Sequence, residues 1–552
     1  MRNRLAAFSL VTGLTLLMFV TGAMMIPSLL FLVNISVTML HVWLAAGLAA
    51  GVAWIAAKMV QAERPGRLFA EAIIASCILF VACFFISGYF YDLSYDGQAY
   101  HQESIIHLDN GWNPVYDEPL NVPTGHSLWM NHYARASELA AAVLFKATGL
   151  LEHSKAINGL TIFASFFLSL SALLTLRPSS NSKAVLVALL LAFNPVSVYQ
   201  ALSYYVDGLL SSMLLCMVAL GCLIFARPGW LLLTAYTSAM IFAINIKFTA
   251  LAYAGLLTIG LLIALYMSEQ FGRLKQLFKI AAVGGLVGVL LIGYNPYVTN
   301  TLTKGHPFYP LAGEEAIDVV KNFTPRNLER MNRLEQLGAS YFAVTTGNST
   351  EKLPTKIKLP FTVSEKELVA LGDPDVAVSG FGPLFSGVLL LSLAVLVLAF
   401  RYRKGATMAA IGVIVLLAGS VIVNPAAWWA RYVPQLWIVP IICLWLGFSM
   451  QGRRLLTGAS WTLAAVIAVN ALLVTGTYTY HQWEWNQSLR EELAAVQTAA
   501  AKGPVRTEFT YSWANRERFE ELGIAFKEEI DLACDDKMTL TKSGTSVCMP
   551  PQ

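Results

Sequence analysis

The sequence predicts an all-α polytopic membrane protein, and three observations predict it. Of its 552 residues, 56% are hydrophobic and only 13% charged, where soluble domains carry about 25% charged residues. The charges fall in short clusters between apolar runs of about 17–25 residues, the length that crosses a bilayer as a helix. None of these runs shows the alternation over about ten residues that marks a transmembrane β-barrel.

About thirteen spans follow in order, near 5–25, 34–57, 69–90, 156–176, 184–200, 208–226, 230–246, 249–267, 280–296, 381–400, 407–423, 436–450 and 456–476. The segment 184–200 is short enough to be re-entrant or broken, and 230–267 is a closely spaced pair. Met1-Arg-Asn-Arg4 opens an apolar run with no small-residue cleavage site, so the first span is read as uncleaved. Arg2, Arg4, Lys58, Arg64, Arg67, Arg177, Lys183, Arg227, Arg273, Arg401, Arg403, Arg453 and Arg454 all fall on one side of this arrangement. By the positive-inside rule that side is cytoplasmic. The N-terminus is then cytoplasmic and the C-terminus outside, the topology of a multi-pass protein of a bacterial-type inner membrane.

The chain thus divides into N-terminal spans (1–90), a first long outer loop (91–155), central spans (156–296), a second long outer loop (297–380), C-terminal spans (381–476) and a small outer domain (477–552). In the first loop, 134–152 carries apolar residues at helical spacing and is expected to lie along the membrane surface as an amphipathic helix. In the tail, strands at Arg506–Phe509 and Ile524–Phe526 flanking a helix at Arg516–Leu522 suggest a small α/β appendage. Of the seven cysteines only Cys534 and Cys548 lie in water-facing sequence, and they suit a disulfide in an oxidising compartment. No internal repeat is evident, which argues against an inverted-repeat transporter.

The densest polar cluster, Tyr91–Glu103, follows the third span and offers Asp92, Asp96, His101 and Glu103. A carboxylate there can serve as general base towards a hydroxyl. Gly97 would allow a tight turn presenting Asp96. Tyr100 and Trp112 of the same loop, with Trp129 and the Pro123-Thr-Gly-His126 and His132-Tyr133 segments, suit either sugar recognition or a membrane-interface aromatic belt. Tyr205 and Asp207 of Tyr204-Tyr-Val-Asp-Gly208 and Lys247 of Asn245-Ile-Lys-Phe248 stand at outer span ends, where ionisable groups suggest function or a mutual ion pair. Arg431 and Tyr432 sit in the aromatic turn 428–435, and Arg is well matched to phosphate. Lys304 and His306 follow another span end and could join an anionic site. The histidines show no compact zinc spacing, so no cofactor is fixed, with a divalent cation as one candidate. No nucleotide-binding or hydrolase motif is present, and nothing in the net charge of +4 or its distribution suggests a nucleic-acid partner.

Many spans, an early outer acidic motif, Tyr95-Asp-Gly-Gln-Ala-Tyr-His101, and a C-terminal outer appendage together resemble the GT-C superfamily of membrane glycosyltransferases, which includes protein mannosyltransferases and aminoarabinose transferases. The resemblance implies transfer of a sugar from a polyprenyl-phosphate donor, with inversion, to a glycan, lipid or protein acceptor in contact with membrane lipids. It implies Asp96 as base, with Arg431, Lys247 and His306 stabilising the departing phosphate. Two other readings stay open. An O-antigen ligase or polymerase using a lipid-diphosphate donor would draw on Arg326, Arg330, Arg333, Lys352, Lys356 and Lys358 of the second loop. A transporter of lipid-linked glycans would place ionisable groups at mid-bilayer.

Overall fold

The computed structural model describes residues 4–60, 64–122, 125–176, 180–227, 229–349, 351–450 and 452–549; Arg2, Arg177 and the Pro123-Thr124 pair lie outside them. Among the described residues, ten helices are long and apolar enough to cross a membrane: Arg4–Phe31, Leu40–Met59, Pro65–Tyr89, Glu152–Leu176, Asp207–Ala226, Thr249–Met267, Phe271–Ile292, Phe385–Tyr402, Lys404–Val423 and Arg454–Ala500. Three shorter apolar helices, Asn181–Ala192, Trp230–Ile244 and Pro434–Phe448, complete the series. The protein is an all-α, multi-pass membrane protein.

Breaks in the helices have local causes. The fifth segment stops at Ala192 and restarts as Pro195–Tyr199. Pro195 has no N–H to continue the ladder, and the Asn194 side chain accepts from the Val196 amide to cap the new turn. The pair at 230–267 parts at Asn245–Phe248, leaving Lys247 between two helices. The final helix continues past the expected span end at 476 and runs unbroken for 47 residues to Ala500, about 70 Å at 1.5 Å per residue. It therefore leaves the apolar zone as a rigid rod carrying the tail.

Contacts among helix ends give the bundle two unlike poles. Arg4 pairs with Glu71 at 2.6 Å, and Arg67 with the same carboxylate at 2.9 Å. Arg273 donates to the Phe225 carbonyl at 2.7 Å, and Lys183 lies over the Phe448 ring. Arg4, Arg67 and Lys183 thus mark the ends of their own helices, and Arg273 marks the pole where Asp207–Ala226 ends and Phe271–Ile292 begins. Asp207 marks the opposite pole of the same helix.

The expected surface helix at 134–152 is also corrected. It forms over Ala136–Thr148, but Ala136 to Phe145 are all buried. Its charges are absorbed inside the protein: Glu138 by His101, Arg135 by Asn295 and the Trp112 ring, Lys146 by the Asp109 carbonyl.

The second long segment between spans folds into short helices and a two-stranded antiparallel pair, Thr346–Gly347 with Val376–Val378. The tail forms a four-stranded sheet. Val505–Phe509 lies between Phe526–Glu528, parallel to it, and Thr545–Cys548, antiparallel; Lys537–Thr539 pairs on the far side of the latter. Helix Asn515–Glu521 connects the parallel pair. Cys534 and Cys548 are joined as a disulfide. The small core contains Phe509, Phe519, Ile524 and Val547, together with Leu489 and Leu493 of the long helix and Leu93 of the acidic segment.

Candidate active site

Asp96 is positioned by its neighbours. Asp92 is fully buried and accepts from the Ser94 and Tyr204 amides at 2.8 Å each. Its own amide donates to Glu152 at 3.0 Å, and burial raises its carboxyl pKa. Leu93 is held in the tail core. Gly97 is obligatory, since a Cβ there would collide with the Asp92 carboxylate. With both sides of the turn fixed, Asp96 turns towards a cavity of about 980 Å³ at the acidic pole of the bundle.

Arg431 stands at the centre of the polar wall. Its Nη1 lies 3.5 Å from Asp96 and 3.5 Å from Asp207, and its Nε lies 3.0 Å from Asp375. That Nε is close to the carboxylate yet makes no hydrogen bond, because its N–H is not aimed at it. The guanidinium packs against the rings of Trp429, Tyr205 and Tyr432 at 4.6, 5.0 and 5.1 Å. Lys247 pairs with Asp207 at 2.7 Å and sits 3.8 Å over Tyr432. Asp375 accepts from Trp429 Nε1 at 3.2 Å and Asn348 Nδ2 at 3.0 Å. Burial nevertheless pushes its carboxyl up to about 7, with Asp96, Asp373 and Asp207 raising it further and Arg431 opposing them. Asp96 is the most open of the three carboxylates on Arg431, with 23% of its side chain exposed against 9% for Asp375 and 1% for Asp207.

This cavity gathers Asp96, Tyr100, His101, Tyr205, Asp207, Lys247, Arg431 and Tyr432. His101 is held by Glu138 at 2.6 Å. Five of the sequence candidates stand outside the cavity. Asp92 is buried and anchors the Tyr204 amide. Glu103 is buried beside His107 and Arg516, at 3.4 and 3.7 Å. Trp112 lies under the Arg135 guanidinium. Lys304 lies over Tyr309, and His306 accepts from the Phe308 amide at 3.2 Å. None of the five lines the cavity.

Residues not anticipated from the sequence also contribute. Asp373 and Asp375 enter from the second long segment, and Tyr511 and Lys542 from the tail. Gly372-Asp-Pro-Asp375, an acidic turn just ahead of a span, was the available signal for the first two. Nothing local to Tyr511 or Lys542 pointed here. Among the described residues no three His, Cys, Asp or Glu side chains converge to hold a metal ion; the clustered aspartates share Arg431 and Lys247.

No protein-family model and no curated protein sequence matches the chain. Among solved structures the chain is similar to ArnT from Cupriavidus metallidurans in the apo state, with 14% identity over 83% of this chain and 87% of that one and a TM-score of 0.38, a likeness that carries no argument about the site.

Proposed function

We propose that this chain is an integral-membrane glycosyltransferase of the GT-C type, transferring a sugar from a polyprenyl-phosphate donor to a hydroxyl of a glycan, lipid or protein acceptor with inversion. The reading is carried by one observation: at one pole of an apolar bundle, a partly open carboxylate and two buried cations share an aromatic-lined cavity. A donor that is half lipid needs a site at the end of the spans. A reaction between a hydroxyl and a phosphate-activated sugar needs a base and a cationic cradle in that same space.

In this mechanism Asp96 takes the acceptor proton while the hydroxyl oxygen bonds to the anomeric carbon. The bond from that carbon to the phosphate oxygen breaks, and its electron pair stays on the phosphate. Arg431 and Lys247 stabilise that charge, more effectively in a partly dry cavity than in water. The basic residues cluster at the cytoplasmic pole and the cavity faces outwards, in keeping with a disulfide-bonded tail in an oxidising compartment.

Arg326, Arg330, Arg333, Lys352, Lys356 and Lys358, on which a diphosphate-dependent ligase would draw, do not line the cavity. Lys352 and Lys358 are already paired with Glu329 and Glu367. These facts favour the transferase reading.

The test is transfer from radiolabelled polyprenyl-phosphate sugars in membranes containing matched amounts of wild type or Asp96→Asn. Loss of transfer with donor binding retained supports Asp96 as base. Unchanged transfer removes Asp96 from the mechanism, and no transfer by wild type from any donor overturns the reading.

A further inference from the structure

We propose that the C-terminal domain supplies the acceptor subsite, a platform for a neutral sugar ring made by Tyr95 and Tyr511 and edged by Asp373 and Lys542. Its role as an acceptor site rests on the transferase reading, while its ability to bind sugar does not.

Tyr511 and Tyr95 are far apart in the chain, yet their ring centroids are 4.7 Å apart with planes at 42°. Tyr95 is 52% exposed, although it immediately precedes Asp96. Its hydroxyl lies 3.3 Å from His126 Nε2, so the ring is oriented without being covered. Tyr511 is held from behind by the Gly544 backbone, where an added Cβ would fall 2.7 Å from the Tyr511 ring. The tail already has its core in Phe509, Phe519 and Val547. This pair is not part of that core, and both rings line the cavity.

The edge of the platform is polar and held in place. Lys542 occupies the hairpin turn between Lys537–Thr539 and Thr545–Cys548 with a φ of +52°, a backbone region that normally selects Gly, Asn or Asp. Its carbonyl accepts from Gln98 Nε2 at 2.8 Å, and its ammonium lies 4.2 Å over Trp485. Lys542 Nζ stands 3.5 Å from Asp373, both side chains about two-fifths exposed. Such an exposed pair contributes little to stability, and both groups remain available to a ligand. The Cys534–Cys548 disulfide closes the segment that presents Lys542.

Aromatic faces match the C–H faces of a pyranose, and a carboxylate and an ammonium match its hydroxyls. With Lys542 paired to Asp373, and Arg431 and Lys247 of the same cavity already engaged by Asp96, Asp375 and Asp207, the platform favours a neutral polyhydroxylated ring over an anionic one. A ring seated there would bring a hydroxyl towards Asp96.

Saturation-transfer NMR on the full chain in lipid nanodiscs, with a panel of neutral methyl pyranosides, tests this without donor or turnover. Wild type is expected to transfer saturation to the ring C–H protons of at least one pyranoside. Tyr511→Phe should retain the signal, and Tyr511→Ala should weaken binding about tenfold, the loss of one aromatic contact. An intact Cys534–Cys548 bond and an unchanged melting temperature in Tyr511→Ala verify its fold, and Gly544→Ala, which displaces the ring, provides a second variant expected to lose the signal. No saturation transfer in wild type, or undiminished transfer in a folded Tyr511→Ala, overturns the proposal. Failure of the radiolabel assay alone would instead count against the transferase reading and leave the sugar platform standing.

Discussion

Replacing Asp375 with Asn tests whether Arg431 must be released from one of its carboxylates before it can hold a phosphate. Three aspartates already share the guanidinium, so an incoming anion competes with them. Asp375 is the one whose charge can be withdrawn, because burial pushes its carboxyl from an ordinary 3.8 up to about 7. Below that pH it is protonated, and Arg431 faces one anion fewer. As pH rises through about 7 the proton leaves, and its charge opposes any phosphate nearby. With about 6 Å between the two charges and an effective dielectric of about 20, the repulsion is about 3 kcal/mol, on the order of 100-fold in affinity.

Wild type should therefore bind a phosphodiester more weakly as pH climbs from about 6 to about 8.5, by at most tenfold per unit. Asp375→Asn should hold the low-pH affinity across the whole range. Methyl farnesyl phosphate is a suitable probe, since its single charge does not titrate in this window, and calorimetry on detergent-solubilised protein gives the affinity. The same linkage acts on folding. The raised pKa contributes stability that is complete below about pH 4 and lost as pH rises through about 7, at most about 4 kcal/mol. The variant should consequently melt higher than wild type at alkaline pH. A wild-type affinity that is flat with pH, or a slope that survives in Asp375→Asn, refutes this reasoning.

Three further perturbations have definite outcomes. Asp207→Ala leaves Lys247 buried with its closest partner gone and should cost about 3–5 kcal/mol in thermal unfolding, less when combined with Lys247→Met. Leu93→Ala should cost about 2–5 kcal/mol, read as faster proteolysis of the tail, and should lower kcat because Asp96 loses its anchor. Cys534→Ser should remove about 3 kcal/mol from the tail domain, seen as a lower-temperature transition for the tail while the helical bundle melts unchanged.

The spans were legible because bilayer length and charge exclusion are one-dimensional constraints, written directly in runs such as 208–226. The continuation of the last helix beyond its span was not. Residues such as Trp483, Glu484, Arg490 and Glu491 look like loop by hydropathy, but a helix can continue into water wherever another element packs on it, and the tail core does so through Leu489 and Leu493. The helix within 134–152 is legible in its periodicity, but its surroundings are not. Periodicity reports an apolar face without saying whether lipid or protein covers it, and here Glu138 and Arg135 find partners distant in sequence. Asp96, Asp207, Lys247 and Arg431 stood out as charges beside apolar runs. Lys304 and His306 stood out for the same reason and lie elsewhere, because position at a span end fixes depth but not azimuth around the bundle.

Asp92 shows most clearly why the acidic motif could not be read residue by residue. Two aspartates four positions apart have the same chemistry in sequence, yet one faces the cavity and the other is fully buried beneath Gly97. Tyr204, whose amide Asp92 accepts, lies three residues before Asp207. Asp92 therefore ties the helix start carrying Asp96 to the helix start carrying Asp207. Glu152, bonded by the Asp92 amide, also takes Arg518 of the tail at 2.9 Å and pairs with Lys155. Asp96, Asp207 and the tail are thus connected through one buried polar network. Such networks are costly when half satisfied, so the geometry at Asp96 depends on the tail being docked. A tail detached by Arg518→Met should lower transfer even though Arg518 itself lies outside the cavity.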